Sequence, residues 1–387
     1  MNAAAAPAAK PAARSLLPRL QLFDAIKGVA CALIVGHHLA RYGPMAVGAL
    51  TLAPTFLGWL AQDGRLAVQV FLVIAGFLAA GSLAPDGLSL GGNPVVRVLR
   101  RYVRLVTPYL VALIVSVLVA ALVRPWLDGD AVPAAPGMAQ LIAHALLLQD
   151  LLGYPALSAG VWYVAIDFQL FALAVTVVAL SGWLQRRLRV GARRARWISV
   201  GLVLLLAIAS LALFNRRSAL DDTALYFFGA YGLGMLAFWI GRATRPGIWQ
   251  VGVGSLALLG TLALIIDWRS RIAIALVTAL SITFAQRSAR SGLQVWPALA
   301  RPLLHLGQIS YSLFLIHFPV ILLVNAVVGT LWPMQPWTHV FGMLGALGLS
   351  LVAAVWLHRW VEMRPASWRE IVFLFAVLLA CGALISG

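Results

Sequence analysis

An all-α, polytopic bundle of about ten or eleven membrane-spanning helices, N-terminus in the cytoplasm, is the fold class this sequence predicts. Three observations predict it. The 387 residues are 62% hydrophobic and only 11% charged, where soluble domains carry about a quarter charged residues. The apolar residues fall in repeated runs of about 17–25, the length that crosses a bilayer as a helix. The net charge of +17 is concentrated in short connections between those runs, a distribution that fits membrane topology and argues against a nucleic-acid partner.

Taken in order, residues 1–21 are rich in Ala and Pro, carry Lys10, Arg14 and Arg19, and lack an apolar core. They read as a disordered cytoplasmic tail leading into an uncleaved first span. Spans are then expected near 24–42, 66–84, 105–123, 161–184, 197–214, 224–240, 249–266, 271–286, 306–330, 339–358 and 369–385. The stretch 138–153 is either re-entrant or interfacial. The connection 124–160 is rich in Pro and Gly (Pro125, Pro133, Pro136, Gly137, Pro155) and too short to fold alone. With the N-terminus inside, cytoplasmic connections hold 21 Lys and Arg against seven outside, the bias expected of a correctly counted topology. Cys31 and Cys381 lie within apolar segments, which supports neither a disulfide framework nor a zinc site, and no metal is expected. No internal repeat of the inverted-transporter kind is visible.

Ionisable residues inside apolar runs cost free energy and mark function or a buried partner. In the first span, LFDAIKGVACALIVGHHLARYGP, Asp24, Lys27 and His38 fall within roughly 60° of one another on a helix, with Cys31 in the same stripe. His37 points about 100° away from His38. Lys27 sits near the cytoplasmic end and His38 about 16 Å deeper, where a neutral imidazole can act as a general base toward a hydroxyl. The competing account is two histidines at the outer interface. In NPVVRVLRRYVRLVTPY, residues 93–109, Arg97, Arg100, Arg101 and Arg104 share one helix face. That face suits phosphate recognition or simple positive-inside topology. In GVWYVAIDFQLF, Trp162 and Tyr163 suit an interfacial belt, while Asp167 and Gln169 must face the bundle interior. Asp167 then either orients the imidazole of His38, as the acid of a triad does, or bonds a neighbouring helix. In LGQISYSLFLIHFPV, Ser310 and His317 share a face, as interhelical glue or as lining for substrate. Arginines at the mouth with a histidine deeper inside fit a pantetheine thioester with a phosphorylated nucleotide end.

These blocks, in this order, resemble the integral-membrane acyltransferase-3 family, whose members O-acylate bacterial cell-surface and exported glycans. The similarity runs from about 22 to 365. FDAIKGVACALIVGHH resembles the family's opening block and places its histidine on His38. AVQVFLVIAGFL is similar to the second block, RRYVRLVTPY to the Arg-x-x-Arg block (Arg101, Arg104), WYVAIDFQLF to the Trp-containing segment, ISYSLFLIHFPV to the Ser-Tyr…His block and HRWVEMRP to the Glu-x-Pro end. Lys27 stands where the family has Arg, Gln69 and Ala75 replace Asp and Ser, and Asp167 replaces Glu. The resemblance implies a transmembrane acyltransferase domain over 22–365, followed by an additional transmembrane helix at 366–387. No esterase-like domain is expected after the last apolar run, so the acceptor is expected to be held by spans and outer loops alone.

The activity so implied is transfer of an acyl group, acetyl first among candidates, from cytoplasmic acyl-CoA to a glycan or lipid-linked saccharide at the bacterial inner membrane. His38 and Asp167 are the expected catalytic residues. Lys27, Arg101 and Arg104 are expected to hold the donor, and Trp162, Tyr163, Ser310 and His317 to line the substrate. Membrane lipids are the remaining expected partner. The rival class is a proton-coupled transporter or flippase of a glycan or lipid-linked precursor, using intramembrane His and Asp as a relay.

Overall fold

The first helix, α1 (Leu17–Arg41), carries the polar stripe, and the chain then folds around it as a helical bundle. The computed structural model describes residues 17–127, 132–290 and 301–386, and contains no strand among them. α1 begins inside the stretch expected as a tail, so residues 17–21 are helical, and the rest of that tail lies outside the described residues. After Tyr42 the chain turns through Gly43 into the short α2 (Pro44–Leu50). It then passes α3 (Pro54–Asp63), a 3-10 turn at Gly64–Ala67 and α4 (Val68–Leu83). α3, the turn and α4 make one apolar unit, Pro54–Leu83. The second span is therefore longer than the 66–84 read from the sequence.

The next helices match the expected runs: α5 (Pro94–Val123), α7 (Val161–Leu188), α8 (Ala192–Ala212), α9 (Ala224–Gly241) and α10 (Pro246–Ile266). The ambiguous 138–153 stretch holds only the eight-residue α6 (Met138–Ala145), far too short to span. α11 (Ser270–Arg290), α12 (Arg301–Gln308), α13 (Ser310–Leu331), α14 (Pro336–Leu357) and α15 (Trp368–Ser386) complete the chain. α12 and α13 break at Ile309, inside the run expected as one span. Among the described residues, ten helical segments are long and apolar enough to cross a membrane.

α11, the eighth expected span, is not among those ten, yet it runs alongside α9 for the full length of that helix. The Arg271 guanidinium lies 4.7 Å from the Tyr226 ring near the start of α9. At the other end, Gln286 donates to the carbonyl of Ala237 at 3.2 Å. α4 and α9 pack most closely of all. Gly76 faces the carbonyl of Tyr231 and Gly234 faces that of Val73, so a methyl group at either position meets backbone. Connections expected on one side gather at one end of the bundle: Asp86 pairs with Arg242 at 3.2 Å, and Gly87 lies against Arg196. At the opposite end, Asp267 pairs with Arg269 at 3.1 Å and Arg216 at 3.8 Å.

Candidate active site

α5 starts cleanly because Asn93 accepts the amide proton of Val95 at 2.9 Å and Pro94 occupies the first turn. Its arginine face therefore begins at once, at the arginine-rich end of the bundle. Arg97, Arg100, Arg101 and Arg104 line a central cavity of about 630 Å³, together with Lys27, Tyr163, Asp167, Ser310, Phe314 and Glu362. Lys27 pairs with Asp24 one turn away, at 2.8 Å. Ser310 donates to the carbonyl of Gly307 at 2.8 Å, and its own carbonyl accepts from Cys31 on the α1 stripe at 3.5 Å. Six of the expected site residues thus border one space: Lys27, Arg101, Arg104, Tyr163, Asp167 and Ser310.

Asp167 does not meet His38. Its carboxylate Oδ2 accepts from Nη2 of Arg101 at 2.6 Å. The Asp167 side chain is 7% exposed and that of Arg101 is 32% exposed. The reach and charge of Arg101 on the facing helix take the carboxylate that the sequence offered to the histidine, so the triad-like arrangement is not formed.

The partner of His38 is His317, with Nδ1 of His38 2.6 Å from Nε2 of His317. The rings stack, centroids 4.8 Å apart and 10° from parallel. The second bond of His317 fixes the protons. Its Nδ1 lies 3.0 Å from the carbonyl of Leu313; a carbonyl only accepts, so Nδ1 of His317 carries hydrogen. In the neutral ring Nε2 is then the acceptor, Nδ1–H of His38 donates to it, and Nε2 of His38 keeps a free lone pair. His317 is completely buried while His38 is 8% exposed, so the reachable member of the pair is His38. His37 faces elsewhere, with Nδ1 3.2 Å from the carbonyl of Leu60.

Neither His38 nor His317 borders the central cavity. Phe314 stands between: it lines the cavity, packs at 5.2 Å from the Tyr163 ring and lies 6.1 Å from the His317 ring. Gly160, at φ +89°, starts α7 against that ring, and a Cβ there would sit 2.8 Å from Phe314. On the other side of the pair, Asn325 donates to the carbonyls of Tyr42 and Ile321 and accepts from the amide of Met45. This fixes the turn that ends α1.

Trp162 lies apart from the central cavity. It borders a smaller cavity of about 240 Å³ at the opposite end, with Asp150, Asp221, Asp222, Tyr226 and Arg271. Burial, then the neighbouring Asp222 carboxylate, raises Asp150 to about 6. Nearby, His144 is held neutral with both nitrogens occupied. Nδ1–H donates to the carbonyl of Gln140 at 2.8 Å, Nε2 accepts from the amide of Leu157 at 3.2 Å, and burial lowers its pKa to about 4.

Phe314, Asn325 and Glu362 were not singled out by sequence reasoning. Phe314 lies within a block already quoted, three residues from His317, and Asn325 interrupts an apolar span on the same face, two signals that were present. Among the described residues, no group of three or more His, Cys, Asp or Glu side chains is arranged to hold a metal ion.

No curated protein and no solved structure matches the chain. The family model described as an acyltransferase domain matches residues 21–359, a stretch that includes the four arginines of the central cavity and both histidines of the pair. The chain is thus a multi-pass membrane acyltransferase and belongs to the acyltransferase-3 family.

Proposed function

We propose that the protein transfers an acyl group, acetyl in the simplest case, from cytoplasmic acyl-CoA to a hydroxyl of a cell-surface or exported glycan at the bacterial inner membrane. The observation that carries this reading is the hydrogen bond from His38 to His317, which leaves one reachable imidazole lone pair deep in the bundle. Donor phosphates rest on Lys27, Arg101 and Arg104 at the mouth of the central cavity. Guanidinium groups suit them through charge-assisted hydrogen bonds. The pantetheine arm extends past Tyr163, and rotation of Phe314 opens the way to His38.

The hydroxyl proton passes to Nε2 of His38, the hydroxyl oxygen attacks the thioester carbonyl, and the C–S bond breaks. The departing thiolate takes up the proton from the imidazolium. The same lone pair also serves a two-step route. Nε2 attacks the thioester carbonyl, the C–S bond breaks and the thiolate takes the Nδ1 proton. The hydroxyl oxygen then attacks the acyl carbon, the C–N bond breaks and the hydroxyl proton returns to the imidazole. The routes differ in one observable, since only the second leaves a labelled acyl group on the protein when acceptor is withheld.

Turnover of radiolabelled acetyl-CoA by purified protein tests the reading. His38→Ala is expected to abolish thioester cleavage while donor binding persists, and Arg101→Ala/Arg104→Ala to abolish binding. Retained acyl transfer in His38→Ala would remove that histidine from the chemistry. Proton-driven flux without acyl-CoA would favour the transporter class.

A further inference from the structure

A second cavity, about 720 Å³, lies on the flank of α5 against the connection between α14 and α15. Arg100, Arg104 and Arg364 border it, together with the apolar Val96, Leu99 and Pro108. Among the described residues its one carboxylate, Glu362, is turned to other work. Glu362 accepts from Ser312 at 2.6 Å and is joined by His358 at 3.0 Å across a π-helical turn, His358–Glu362. Arg100 and Arg104 have no carboxylate within ion-pair distance among the described residues, and Arg364 only stacks on Trp360 at 5.1 Å. The start of α15 is fixed by stacking of Trp368 on Tyr102, centroids 5.9 Å apart. Val96 and Leu99 are 39% and 43% exposed, so this rim of the cavity is open and apolar.

Positive-inside topology asks only that arginines lie on one side of the membrane. It does not require three of them, none in ion-pair contact with a carboxylate, around an apolar slot. We propose that this crevice holds an anionic phospholipid, its phosphate on Arg100 and Arg364 and its acyl chains along Val96, Leu99 and Pro108. Basic pockets between transmembrane helices at this depth suit anionic headgroups. Arg100 and Arg104 border the central cavity as well, so the lipid braces one wall of that cavity from outside.

The test is retention of phosphatidylglycerol against phosphatidylcholine by the purified full chain, read by native mass spectrometry. The wild type is expected to prefer phosphatidylglycerol at least tenfold, with the preference falling as salt rises. In Arg100→Gln/Arg364→Gln the preference should drop about tenfold, toward parity. Arg100→Lys/Arg364→Lys should recover most of it. Equal retention of both lipids by the wild type, or an unchanged preference in the Gln variant, overturns the proposal. So does displacement of the bound phosphatidylglycerol by 3′,5′-adenosine diphosphate, which would assign the crevice to nucleotide phosphate. Should the Gln variant not fold, the wild-type salt and nucleotide titrations decide alone.

Discussion

Arg101 with Asp167 and His38 with His317 each bridge two distant helices at 2.6 Å, and they do opposite things with that bond. In the first pair both charges are matched, so the carboxylate is consumed and little chemistry is left for it. In the second pair both partners are neutral rings, and the bond that joins them leaves a nitrogen open. A buried ion pair is a brace; a buried imidazole pair aims a lone pair. His144 supplies the third case, a buried histidine with both nitrogens occupied and nothing left to aim.

The largest expected effect breaks the brace. Asp167→Ala leaves Arg101 charged without its partner, and losing one member of a buried pair typically costs 3–5 kcal/mol. With Arg101 partly open to the cavity, about 3 kcal/mol is expected. In thermal unfolding at one fixed heating rate, the single variant should therefore melt well below wild type. Arg101→Leu/Asp167→Leu should regain most of that loss without regaining donor binding. A double variant no more stable than the single would mean that charge pairing is not what holds α5 to α7 there.

A smaller effect sharpens the role of the second pair. His317→Leu removes the acceptor that fixes the proton on Nδ1 of His38 and should lower kcat about 10–100-fold with donor binding unchanged. His317→Gln, whose side-chain oxygen can accept from Nδ1–H, should keep more activity than Leu. Equal loss in both would assign His317 to packing alone.

The smallest effect concerns pH and the third histidine. His144 has its folded pKa lowered to about 4. Its contribution to the order of 138–157 is complete above the unfolded value near 6.5 and is lost as pH falls toward 4. Asp150 has its folded pKa raised to about 6, so its burial is tolerated at low pH and becomes costly as pH rises from about 4 through 6. The two slopes oppose each other. Amide protection in this segment, relative to the intrinsic exchange rate at each pH, should change little between pH 4 and 6 in the wild type, whereas Asp150→Asn should loosen steadily on acidification. A flat profile in Asp150→Asn would show that His144 does not hold the segment.

Much of this was legible one helix at a time. Apolar runs located nearly all of the long helices, and the 100° step along α1 chose His38 over His37 as the residue on the polar stripe. Partners between helices were not legible in the same way. The expected pairing of Asp167 with His38 was a judgement about depth, and nothing local to 160–171 says that an arginine from α5 reaches that carboxylate first. His317 was read as glue or lining because its bond to His38 spans 279 residues of sequence. The second span looks short because Gly64 punctuates it, although the helix–turn–helix that starts at Pro54 continues through that glycine. α11 was readable from its apolar centre, despite arginines near both ends.

That separation of 279 residues also sets the order of events during synthesis. A chain emerging N-terminus first places α1 in the membrane long before α13 exists, so the nascent enzyme carries His38 with its ring unanchored. The imidazole pair can form only after about four-fifths of the chain has been made. Chains released early from the ribosome therefore lack the pair, and the site switches on at the same stage at which the bundle closes.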